Sequence, residues 1–101
     1  MPKVLIYITL RSVWEFFFLW KDENENRAHI HVTSENGKPY AKIWLEPEIS
    51  VAKKGGLSDS ELKQVLKIVK ETKKELLESW NKYKKGEEIK PINRKTNKKK
   101  L

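Results

Sequence analysis

His29 and His31 are the only histidines in the chain, one residue apart in the run Arg27-Ala28-His29-Ile30-His31-Val32. Histidine changes charge near neutrality. A neutral imidazole beside a protonated one can therefore divide the base and acid roles of RNA cleavage. The same pair can ligate a metal: residues two apart on a strand share a face and sit about 6–7 Å apart at the backbone, close enough to converge on one ion. A third ligand is then needed, and Glu46 on the next strand is the best-placed carboxylate. With no third histidine and no cysteine, acid/base chemistry is favoured over metal, and neither metal nor cofactor is expected. In that reading His29 and His31 are catalytic, Glu46 orients them, and the activity is metal-independent and endoribonuclease-like. The plainer alternative is a pair of surface or partner-facing histidines hydrogen-bonded to Glu46 or Glu35.

Strands must present these side chains. Residues 3–10 and 13–20 are dense in β-branched and aromatic residues and read as two strands of a hairpin around Arg11-Ser12. The polar run 21–27 is a loop. A third strand at about 28–34 leads into Asn36-Gly37, a strong hairpin signal, and a fourth follows at about 39–46. Residues 49–52 suit a short fifth strand before Gly55-Gly56, which reads as a turn. Ile30, Val32, Ala41, Ile43 and Leu45 then share the covered face, opposite His29, His31, Thr33, Tyr40, Lys42, Trp44 and Glu46.

The period turns helical at Ser58. Ser58-Asp59-Ser60-Glu61 is a capping box, and Leu62, Val65, Leu66, Val69, Leu76, Leu77, Trp80 and Tyr83 form one apolar stripe with a weak turn at Thr72 and Lys73. The helix should end near Lys85, with Gly86 as its stop. The expected fold is α+β: an antiparallel sheet of four to five strands with one long C-terminal helix packed on one face. Residues 1–86 form a single domain in this reading, and 87–101 a basic, disordered tail.

The net charge is +8 from 22 basic and 14 acidic residues. Six of the basic residues lie in 90–101 with no acid, so the other 89 residues carry 16 basic against 14 acidic side chains and only +2. The basic character belongs mostly to the tail, where Lys98, Lys99 and Lys100 suit non-specific contact with nucleic acid. On the sheet, Trp44 and Tyr40 can stack bases, with Arg27 and Lys42 at hand for phosphate. The same aromatics equally suit a protein partner or a homodimer through the sheet face. The longest apolar runs are far short of a membrane span and no secretory leader is apparent, so a cytoplasmic protein without membrane attachment is expected. No Gly-x-Ser-x-Gly, His-Glu-x-x-His or dinucleotide fingerprint occurs.

Five blocks together resemble a small prokaryotic family classified as domain of unknown function 4160. They are Met1-Pro2-Lys3-Val4, Phe17-Phe18-Leu19-Trp20, Ala28-His29-Ile30-His31-Val32, Ala41-Lys42-Ile43-Trp44-Leu45-Glu46-Pro47 and Glu78-Ser79-Trp80-Asn81. The resemblance covers about residues 1–84 and leaves the basic tail outside. Members commonly carry proline just before the first histidine, where this chain has Ala28. The resemblance implies a place in a two-gene, toxin-antitoxin-type module with a small cognate protein partner. The expected function is therefore the effector half of such a module, acting on or binding RNA through the His-x-His strand. The alternative is a non-catalytic interaction module or homodimer that uses the aromatic sheet face.

Overall fold

The computed structural model describes residues 3–9, 12–19, 25–34 and 40–95. The Asn36-Gly37 turn, Glu35, Trp20 and Lys98–Lys100 lie outside them. The elements are β1 (Lys3–Ile8), β2 (Val13–Phe17), β3 (His29–Ser34), β4 (Ala41–Trp44), β5 (Ser50–Lys53), α1 (Asp59–Lys84) and β6 (Ile92–Lys95). The protein is α+β: six strands in the order β5-β4-β3-β2-β1-β6, with α1 packed on one face. From β1 to β5 each strand pairs antiparallel with the next, and β6 lies parallel to β1. The chain leaves the sheet at the β5 edge and re-enters at the opposite edge, so α1 must cross the sheet between them. That crossing is what seals one face.

Period-two alternation selects the sealed face. Ile30, Val32, Ala41, Ile43 and Leu45 are all fully buried, as their spacing requires, and they pack with Phe16, Val65, Val69 and Leu76 in one core. The weak turn of the helix is closed locally: the Thr72 hydroxyl donates to the Ile68 carbonyl at 2.8 Å, which lets a polar residue sit buried in the stripe. At the N-terminus both halves of the capping box form: Glu61 N–H donates to Ser58 Oγ at 3.1 Å, and Ser58 N–H to Glu61 Oε1 at 2.9 Å. Gly55 adopts φ 63°, and a side chain there would collide with the Tyr40 carbonyl, so the turn before the helix requires glycine.

The segment 87–101 is not a free tail throughout, because residues 92–95 form β6 and raise the strand count to six. Ile89 and Ile92 pack against the core, Ile92 pairs with Leu5, and Arg94 forms an ion pair with Glu75 of α1. Two isolated isoleucines in a charged segment anchor a short edge strand that shows no alternation of its own.

Candidate functional site

The strand register brings the sequence-derived residues together. His29 lies opposite Trp44, and His31 lies between Lys42 of β4 and Phe17 of β2. The four residues His29, His31, Lys42 and Trp44 therefore share the sheet face turned away from the main core, as alternation requires.

That face is not open at the histidines. His29 is 0 % exposed and His31 3 %. The His29 ring packs against His31 (centroids 5.1 Å apart), Trp44 (5.6 Å) and Trp80 (4.9 Å). The His31 ring stacks on Phe17 at 5.6 Å and meets Tyr40 edge-on at 5.3 Å. Trp80 comes from the late part of α1 and also touches Phe18, at 5.5 Å, so one helix residue contacts both sets of side chains. Sequence reading assigned Trp80 to the core without this second contact. The imidazoles are thus members of an aromatic cluster, and the reading of them as surface histidines is corrected.

A hydrogen bond orients His29. Its Nδ1 lies 2.9 Å from the Arg27 carbonyl. A carbonyl only accepts, so Nδ1 carries a proton. Among the described residues a carboxylate oxygen of Glu25, Oε2, is 3.9 Å from the same nitrogen. Glu46 does not fill the orienting role: its side chain is exposed and pairs with neither histidine, while its backbone carbonyl accepts from Arg27 Nε at 2.7 Å. Among the described residues no three histidine, cysteine, aspartate or glutamate side chains gather as metal ligands.

Outside the histidines lies a more accessible arrangement. Trp44, half-buried, carries the Arg27 guanidinium 4.1 Å from its ring centroid and the Lys42 ammonium at 4.5 Å. Lys42 Nζ is also 3.3 Å from Glu25 Oε2, so its charge is already paired. Tyr40 stands further along the same face and is 37 % exposed. The end of α1 fixes the approach to this region: Tyr83 Oη donates to the Leu19 carbonyl at 2.8 Å and Lys84 Nζ to the Glu25 carbonyl at 2.7 Å. Between the chain so tethered and the helix runs a groove of about 570 Å³, lined in part by Arg27, Glu46, Pro47, Leu77, Trp80 and Asn81. Leu77 and Asn81 were not among the sequence-derived site residues. The only signal for Asn81 was its place in the Glu78-Ser79-Trp80-Asn81 block.

The chain belongs to the family described as domain of unknown function DUF4160, whose family model matches residues 14–81. No curated protein and no solved structure matches it. Three of the blocks that carry the family resemblance meet at the groove, through Ala28, through Glu46 and Pro47, and through Trp80 and Asn81. No helix among the described residues is long and apolar enough to cross a membrane.

Proposed function

We propose that this protein is a non-catalytic binding component of a two-protein module, and that it engages a small protein partner through the surface around Trp44. The burial of both histidines carries the reading. General acid/base catalysis needs a titrating group within hydrogen-bonding reach of the substrate. His29 and His31 are instead enclosed by Phe17, Trp44 and Trp80, with Tyr40 at the margin. Their role in this reading is to set the shape of the face. The half-buried Trp44 and the exposed Tyr40 supply the aromatic contact area that protein interfaces favour. The two-gene arrangement implied by the family resemblance supplies the kind of partner.

Size-exclusion chromatography of the chain with and without the neighbouring gene product tests the proposal. The expected result is a complex that Trp44→Ala disrupts and that a folded His31→Gln variant retains. RNA cleavage that disappears in folded His29→Gln or His31→Gln variants would reject it in favour of a ribonuclease effector. The two cations on Trp44 favour RNA contact as a second reading. It predicts salt-sensitive RNA binding that Arg27→Ala weakens.

A further inference from the structure

We propose that Arg27 anchors an acidic side chain of the partner protein at the mouth of the groove, an inference that rests on the protein-binding reading above. Arg27 is held in two ways. Its Nε donates to the Glu46 carbonyl at 2.7 Å, and its guanidinium lies 4.1 Å from the Trp44 ring centroid. Contact with the ring holds the position of the guanidinium, and the Nε bond restricts its rotation. The two terminal nitrogens make no hydrogen bond or ion pair among the described residues, although the side chain is exposed. A planar fork fixed in this way is preorganised for bidentate pairing with a carboxylate, because little side-chain freedom is left to lose on binding.

The surroundings select the occupant. Pro47, Leu77 and Trp80 give the groove an apolar part, and Asn26 and Asn81 add amides able to donate and accept. Its volume of about 570 Å³ suits a short peptide segment. Arg27 is the one cation among the described lining residues, and Glu46, whose backbone carbonyl accepts from Arg27, lines the same space. Lys42 nearby is paired with Glu25. A nucleic-acid strand brings a row of phosphates and calls for several unpaired cations. A single arginine fits a single carboxylate flanked by an apolar residue.

The test is an amide and side-chain ¹⁵N NMR titration of the full chain with acetyl-Glu-Leu-amide, acetyl-Gln-Leu-amide, inorganic phosphate and a short single-stranded RNA. The glutamate peptide is expected to move the Arg27 Nε–H and the Trp44 and Trp80 indole signals and to saturate at about millimolar concentration. The glutamine peptide should bind about tenfold more weakly. Arg27→Lys keeps the charge but loses the fork, and should weaken glutamate-peptide binding several-fold in a protein whose spectrum is otherwise unchanged. Absence of saturable shifts with the glutamate peptide up to about 20 mM, far above the affinity expected of such a contact, would overturn the proposal. So would equal shifts with phosphate or stronger ones with RNA. Arg27→Ala separates the two levels. A partner complex of unchanged affinity in that variant rejects the anchor and leaves the protein-binding reading intact, whereas failure of the parent chain to form any complex rejects both.

Discussion

If His29 is a packing residue, replacing it with alanine should destabilise the fold strongly. The ring is fully buried among His31, Trp44 and Trp80. Its removal leaves a void of about 60 Å³ at one end of the sheet, which at about 24 cal/mol per Å³ costs about 1.5 kcal/mol if the site does not collapse. Loss of the Nδ1 bond to the Arg27 carbonyl adds about 1 kcal/mol. Lost burial of the ring carbons contributes about 1 kcal/mol more. A total of about 3.5 kcal/mol is a large share of the stability of a domain this size. At about 4–8 °C per kcal/mol it lowers Tm by about 14–28 °C. Urea unfolding followed by far-ultraviolet circular dichroism, with the thermal midpoint, measures this directly. The competing catalytic reading expects the double His→Ala variant to fold as the parent does and to lose only growth inhibition. A His29→Ala protein within about 0.5 kcal/mol of the parent, the range of ordinary surface substitutions, would refute the packing argument.

Other outcomes follow from single features. Ser58→Ala breaks the capping box at the start of α1 and should cost about 1 kcal/mol in urea denaturation, without change in the folded spectrum. Removing residues 92–101 deletes β6 and uncovers the outer edge of β1 beside Leu5, so Tm should fall measurably. A free tail would leave Tm unchanged. The Lys54 ammonium, through a hydrogen bond and its charge, holds the Asp59 carboxyl below its ordinary value. The resulting stabilisation is present above the unfolded-chain pKa and fades as pH falls through the lowered folded value. In Lys54→Met the Asp59 titration, followed by NMR, should move upward toward the normal carboxylate range.

Much of the architecture was legible because it follows from local chemistry. Alternation in β3 and β4 put Ile30, Val32, Ala41, Ile43 and Leu45 on one face, and the Ser58–Glu61 pattern marked the helix start. The same alternation put His29 and His31 on one face with Lys42 and Trp44, while the pairing of His29 with Trp44 came from the structure. What escaped depends on contacts distant in sequence. Trp80 lies about fifty residues from His29, and nothing in a helical stripe says that one of its members also seals the far side of the sheet end. Glu46 was the natural carboxylate on strand alternation, yet the extended pairing stops at Trp44, and among the described residues it is Glu25 of the preceding loop that approaches His29. β6 was hidden because parallel pairing with β1 is fixed by the helix crossing and by two isoleucines, not by any pattern within residues 87–95.

The histidines being the only two in the chain, their accessibility can be read without ambiguity. Treatment of the native protein with diethyl pyrocarbonate, followed by mass spectrometry of the modified peptide, measures it directly. Burial among Phe17, Trp44 and Trp80 requires both imidazoles to react far more slowly than free histidine, and to reach the free rate only when urea unfolds the chain. Rapid modification of either ring in the folded protein would contradict the packing role and return the pair to the candidates for chemistry.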